Sequence, residues 1–229
     1  MPLYIVSTPI GNFGDTTKRV LETLAFCHIV LCEDTRQTNN LLDFYQMKPK
    51  PKLISFYEEN AEKRQEQVIN WLKENKKIAL VSNAGTPTIS DPGFKLVRRC
   101  RKEGIAVFSV PGPVALIAAL SISGLPTDKF MFLGFLPKKK GKKEAIFSSC
   151  LALKNSPLSP TFIFYESPYR LEKTLKLMRK VLGEAQVVIT RELTKIYEEK
   201  ISGTPDEVLE KIAGKKIKGE ITVVFYIRG

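Results

Sequence analysis

Ile78-Ala79-Leu80-Val81-Ser82-Asn83-Ala84-Gly85-Thr86-Pro87-Thr88-Ile89-Ser90-Asp91-Pro92-Gly93 begins with four apolar residues and then places two glycines and two prolines in the twelve that follow. The apolar run reads as a buried strand and the punctuated segment as a loop at its carboxyl end. A helical pattern over Phe94–Lys102 comes next, with Asp91 as the expected N-cap and Pro92 at the first helical position. Open α/β sheets bind ligands at the carboxyl ends of their strands, and glycine lets a backbone approach a ligand closely. Ser82–Ser90 is therefore a candidate ligand loop, while Asp91-Pro92 reads as helix punctuation.

The same alternation extends in both directions. Short apolar strands are expected at Leu3–Val6, Ile29–Cys32, Leu53–Phe56 and Ala106–Val110. Between them lie helical patterns near Asn39–Tyr45 and Glu62–Lys73, and a helix capped by Asp15 with Val20, Leu21 and Leu24 on its apolar face. Strands joined by helices predict a mostly parallel sheet covered on both sides. Val110-Pro111-Gly112-Pro113 is the expected boundary, which divides the chain into α/β domains over 1–112 and 113–229. The second half reads as strands at Phe130–Phe135, Thr161–Tyr165, Val187–Thr190 and Ile221–Tyr226, with helices near Glu144–Leu153, Pro168–Leu182 and Pro205–Ile212.

Composition bounds the function. The 229 residues are 43% hydrophobic and 26% charged, which excludes a disordered or low-complexity chain. A net charge of +12 favours a polyanionic partner. The four cysteines have neither zinc-site nor redox spacing, and the single histidine, His28, excludes a His-rich metal site, so no metal is expected. His28 reads as a packed histidine. No basic residue occurs before Lys18, and the expected compartment is a reducing cytoplasm. The uncharged stretch 104–127 is long enough for a bilayer, but Pro111, Gly112 and Pro113 break it. It reads as strand, turn and core helix, and no membrane partner is expected.

Several clusters could carry chemistry. Thr8-Pro9-Ile10-Gly11-Asn12 ends the first strand and should face the same side as Ser82–Ser90. Glu33-Asp34-Thr35-Arg36 follows the second strand, as a base with its orienting partner or as a surface ion cluster. Tyr165-Glu166-Ser167-Pro168 and Arg191-Glu192-Leu193-Thr194-Lys195 each end an apolar strand, where desolvation should raise a carboxylate's basicity. The alternative is that Glu166 and Glu192 simply pair with Arg170, Arg191 or Lys195. Lys138-Lys139-Lys140-Gly141-Lys142-Lys143 is a solvated loop or an arm for nucleic-acid phosphates. The stripe Phe130, Phe132, Phe135 reads as core.

Together these segments resemble the 16S ribosomal RNA cytidine 2′-O-methyltransferase family, a branch of the tetrapyrrole methylase-like enzymes. The matching stretches include LYIVSTPIGN (3–12), EDTR (33–36), ALVSNAGTPTISDPGF (79–94), SGLP (123–126), GFLP (134–137), FYESP (164–168) and RELTK (191–195). The resemblance implies two α/β domains with S-adenosylmethionine in the cleft between them, a homodimer, and methylation of a cytidine ribose in the decoding region of 16S rRNA. It places the cofactor against Pro9, Ile10, Gly11, Asn83, Ala84, Gly85, Thr86, Pro87, Pro113 and Ala115. A ribose hydroxyl is a weak nucleophile, so a base is expected among Glu166, Glu192 and Asp34. Arg36, Arg191, Lys195 and the lysines at 138, 139, 140, 142 and 143 are the expected RNA contacts.

Two positions depart from the family pattern. Asn83 stands where the family usually has Asp, keeping an acceptor oxygen but losing the charge. Tyr57-Glu58-Glu59-Asn60 replaces a His-rich stretch of many relatives. A tetrapyrrole methyltransferase and a non-catalytic ribosome assembly factor remain as alternative readings.

Overall fold

Alternate residues of a strand point to opposite faces of its sheet, so a strand that is apolar throughout must be covered on both. The computed structural model of the chain, which describes residues 1–227, shows this arrangement in its first part. Two compact units are present, Met1–Val114 and Ala115–Gly229.

The first unit runs β1 (Leu3–Val6), α1 (Lys18–Phe26), β2 (Ile29–Cys32), α2 (Thr35–Phe44), β3 (Lys52–Ser55), α3 (Glu58–Lys73), β4 (Ile78–Val81), α4 (Phe94–Lys102) and β5 (Val107–Val110). Its sheet is parallel throughout, in the order β3-β2-β4-β1-β5. Leu3, Ile5, Ile29, Leu31, Ile78 and Leu80 pack against α3 and α4 on one face. Their neighbours Val6, Val30, Cys32, Ala79 and Val81 pack against α1 and α2 on the other. The chain therefore leaves β1 toward one face and β4 toward the other. These two strands lie side by side, so their carboxyl ends flank the switch point where such sheets bind ligands.

The second unit comprises α5 (Ala115–Ser121), β6 (Phe130–Phe135), α6 (Lys140–Ala152), β7 (Thr161–Glu166), α7 (Pro168–Leu182), β8 (Gln186–Arg191), β9 (Glu199–Gly203), α8 (Pro205–Ile212) and β10 (Ile221–Tyr226). Its sheet is mixed, in the order β6-β7-β10-β8-β9, with only β6 and β7 parallel. Phe162, Phe164, Phe225 and Phe147 form an aromatic centre beneath α6 and α7.

Local details differ from the sequence expectations for identifiable reasons. Thr17, not Asp15, caps α1, its side chain accepting from the Val20 amide, while Asp15 falls in a short 3₁₀ turn. Gly93, at φ 126°, caps α4 in place of Asp91. β9 lacks a continuous apolar run: of Glu199–Gly203 only Ile201 is buried, and the strand pairs along one edge of β8. Phe130 and Phe135 are exposed on the edge strand β6 rather than in the core. His28 is also exposed, its Nδ1 accepting from the Lys77 amide. All four cysteines are buried and unpaired, and burial pushes the Cys27 and Cys150 thiols up to about 12.

Candidate functional site

At the carboxyl ends of β1 and β4, Thr8 and Gly85 exchange both backbone hydrogen bonds, at 2.8 and 3.0 Å. Thr8 Oγ1 also donates to the Ser82 carbonyl at 3.0 Å. This bridge divides the expected cofactor residues into two groups. Toward β5, the Ser7 and Thr86 hydroxyls are 2.7 Å apart, and Thr86 Oγ1 donates to the Pro113 carbonyl at 3.4 Å. A Cβ on Gly112 would lie 2.8 Å from the Ser7 Cβ, so this close approach requires glycine. Ile10 touches the same group through Gly85, whose added Cβ would lie 3.4 Å from its Cγ2. Gly11 is exposed, Ala84 and Pro87 belong to the same loop, and Ala115 opens α5 in the second unit.

Toward β2, Asn83 Oδ1 accepts the backbone N–H of Asp34 at 3.1 Å. A cleft of about 190 Å³ lies here, with Thr8, Pro9, Phe13, Gln37, Asn40 and Asn83 in its walls. The departure at position 83 thus preserves the group this bond needs, an acceptor oxygen. Asn83→Asp is expected to leave stability within about 1 kcal/mol of wild type. Asn83→Leu, which strands a half-buried N–H, is expected to lose about 1–3 kcal/mol in chemical denaturation.

Asp34 is itself the N-cap of α2, accepting from the Arg36 amide at 2.9 Å. The Arg36 guanidinium grips the same carboxylate at 3.1 and 2.8 Å, and these bonds hold its pKa down to about 2. Arg36 occupies both oxygens of Asp34, so Asp34 orders the loop. Arg36 nevertheless remains 87% exposed and available to an anion.

In the second unit the structure corrects two expectations together. Glu166 is 2% exposed at the end of β7, and Lys143, in the second turn of α6, is 5% exposed. Lys143 Nζ donates to Glu166 Oε2 at 3.3 Å and to Thr174 Oγ1 at 2.6 Å. Thr174 Oγ1 donates to Glu166 Oε2 at 2.7 Å, and the Arg170 guanidinium lies 2.5 Å from Oε1. Glu166 is thus enclosed by its own unit and cannot meet a substrate hydroxyl, and Lys143 cannot meet a phosphate. Arg170 and Thr174, spaced i, i+4 on α7, were the readable trace: two polar residues beside the apolar stripe Leu171, Leu175, Met178.

Glu192 and Thr194 both adopt left-handed φ, at 51° and 65°, a conformation unfavourable for residues with side chains. Glu192 Oε1 accepts from the Glu220 amide at 2.9 Å and from Lys195 Nζ at 3.0 Å, and Lys195 also binds Glu220 Oε2 at 2.9 Å. Burial pushes the Glu192 carboxyl up, but the Glu220 amide, Lys195 and Arg191 together outweigh it and hold it below the usual range. The expected rise in basicity is therefore reversed. Arg191 pairs with Glu199 at 3.0 Å and donates to the Lys218 carbonyl at 3.2 Å. Gly219, at φ 89°, lies against the Glu192 side chain, where a Cβ would approach Cδ to 2.4 Å. The family resemblance includes Lys218–Glu220 but gives this glycine no role, because the stretch contains no strand or helix pattern.

Lys138, Lys139, Lys140 and Lys142 are exposed at the start of α6, with Lys139 as its N-cap. Positive charges there oppose the helix dipole, an arrangement that an incoming anion relieves. Among the described residues no helix is long and apolar enough to cross a membrane.

The tetrapyrrole (corrin/porphyrin) methylase family matches residues 2–209. Ribosomal RNA small subunit methyltransferase I of Thermotoga maritima is 46% identical over 222 residues, covering 97% of this chain and 96% of that one. The Bacillus subtilis protein of the same name is 43% identical, covering 97% of this chain and 74% of its own length. A cobalt precorrin-4 methyltransferase of cobalamin biosynthesis superposes with a TM-score of 0.70 at 17% identity, covering 98% of this chain and 94% of that one. Family match, near-complete identity span and fold agree: the chain belongs to the tetrapyrrole methylase family, on the branch formed by the ribosomal RNA small subunit methyltransferase I proteins.

Proposed function

We propose that the protein transfers a methyl group from S-adenosyl-L-methionine to the ribose 2′-hydroxyl of a cytidine in the decoding region of 16S rRNA. The observation that carries the reading is the exposed lysine cluster at the start of α6, on a chain of net charge +12 whose relatives, matched over 97% of this chain, bear small-subunit RNA methyltransferase names. Phosphate contacts of this kind position RNA without reading its sequence. The chain acts in the cytoplasm, as a homodimer, on the small subunit or its RNA. The apolar side chains exposed on edge strand β6, Phe130, Met131 and Phe135, support a self-association surface.

The residues toward β5 suit the cofactor. Segment 82–90 carries no cation to repel a sulfonium, and Thr86, Ser7 and the Pro113 carbonyl offer uncharged polar atoms. Ile10, Gly11, Ala84, Gly85, Pro87 and Ala115 complete that proposed set, while Pro9 and Asn83, which the resemblance also gives to the cofactor, line the cleft toward β2. When bound, the cofactor supplies a methyl group activated by its positive sulfur. The protein's main task is then alignment. Glu192 is the carboxylate we assign to the ribose hydroxyl: Oε1 is committed to Glu220 and Lys195, and Oε2 accepts no hydrogen bond among the described residues. Ionised at neutral pH, it orients the hydroxyl and receives its proton as the oxygen is alkylated. Arg191, Lys195 and Arg36 hold RNA phosphate or the carboxylates beside them.

Incubation with methyl-labelled cofactor and small subunits or 16S RNA should yield label in 2′-O-methylcytidine after digestion. Label in a porphyrinoid polycarboxylate would indicate tetrapyrrole methylation instead, and RNA bound without label would indicate an assembly factor. Replacing Lys138, Lys139 and Lys140 with Ala should flatten log K against log salt by about 2–3 units, roughly one per lost phosphate contact. An unchanged slope would return the arm to a solvated loop.

A further inference from the structure

We propose that the cleft between the β1 loop and α2 is a nucleobase pocket that receives the base of the RNA nucleotide being methylated. The assignment rests on the proposed RNA methylation and adds a second, separate subsite to it. The Thr8–Gly85 bridge puts this cleft on the β2 side of the switch point, whereas the Ser7–Thr86–Pro113 group lies on the β5 side. A two-substrate reaction needs two adjoining sites.

The chemistry of the lining selects the ligand. No residue of the cleft carries a charge, which disfavours a phosphate, a carboxylate or an ammonium group. About 190 Å³ equals about six waters at ~30 Å³ each, the size range of one heterocyclic base. Gln37 and Asn40, spaced i, i+3 on the first turns of α2, bring primary amides to the rim. Such amides present a donor beside an acceptor, the pattern of a base edge. Asn83 must turn its oxygen to the Asp34 N–H, so its NH₂ remains to donate, as the N3 and O2 acceptors of cytosine require. The Phe13 ring forms a half-buried wall for stacking. One residue before Gln37, the exposed Arg36 stands where a neighbouring phosphate would lie.

The experiment compares three RNAs of the decoding-region sequence, carrying cytidine, uridine or an abasic ribose at the target nucleotide. Wild-type protein should bind the cytidine RNA ~10-fold or more tighter than the abasic one, with uridine between them. The double variant Gln37→Ala, Asn40→Ala changes two exposed side chains and should retain the wild-type melting temperature. It should lose ~5-fold or more in affinity for the cytidine RNA, lose nothing for the abasic RNA, and bind S-adenosylmethionine as before. An equal loss on all three RNAs, no loss, or a fall in cofactor affinity would overturn the assignment. Base-dependent binding without methyl transfer would uphold the pocket and refute the proposed reaction. Methyl transfer indifferent to the variant and to the base would do the reverse.

Discussion

Glu166→Gln is expected to lower the unfolding free energy by about 3–5 kcal/mol, while methyl transfer per folded molecule persists. The neutral amide keeps the side-chain volume but leaves Lys143 and Arg170 facing each other without their shared carboxylate, and breaking a buried ion pair has about this cost. With m-values of about 1–3 kcal/mol/M, the urea midpoint should fall by ~1–5 M. Lys143→Met added to Glu166→Gln should recover much of the loss, because it removes the stranded charge. A variant of normal stability that transferred no methyl group would return Glu166 to the chemistry.

Gly219→Ala is expected to remove about 2–4 kcal/mol and to reduce RNA methylation at least ~10-fold per folded molecule. Backbone strain at φ 89° accounts for part of the stability loss. The rest follows from expulsion of the Glu192 carboxylate, whose Cδ lies 2.4 Å from the new Cβ, away from the Glu220 amide and Lys195. Gly214→Ala is the control: its φ is 71° but nothing lies within 4 Å of the added Cβ, so it should cost only about 1 kcal/mol and no activity. The depressed Glu192 pKa sets the sign of the pH dependence. The contribution is present above the pKa of an unfolded glutamate and disappears as the pH falls through the carboxylate range. The stability difference between Gly219→Ala and wild type should therefore shrink in acid to the part set by backbone strain.

The first unit was largely legible because its buried strands are written as uninterrupted apolar quartets. Ile29–Cys32 and Ile78–Val81 begin and end where they were expected. Caps were less legible, since several side chains compete locally and only geometry decides: Thr17 prevails over Asp15 and Gly93 over Asp91. The charged residues at strand ends were found but their directions were not. Glu166 and Glu192 occupy equivalent sequence contexts, yet one is sealed by a lysine 23 positions earlier and the other is held at a single oxygen by backbone 28 positions later. Charge contacts at such separations leave no periodicity in a sequence. Lys143 makes the same point within one run: it lies a single position beyond Lys142, but a helix turns adjacent residues about 100° apart. Solvent faces one, and the carboxylate claims the other.

Among the described residues strand β1 pairs with β4 and β5 alone. During translation this strand therefore waits for residues 78–110 before it has both partners. At synthesis rates of ~5–20 residues per second that interval lasts about 5–20 s. Through it, Leu3-Tyr4-Ile5-Val6 is an incompletely paired apolar segment outside the ribosome, available to chaperones, and the parallel sheet closes only after its last strand has emerged.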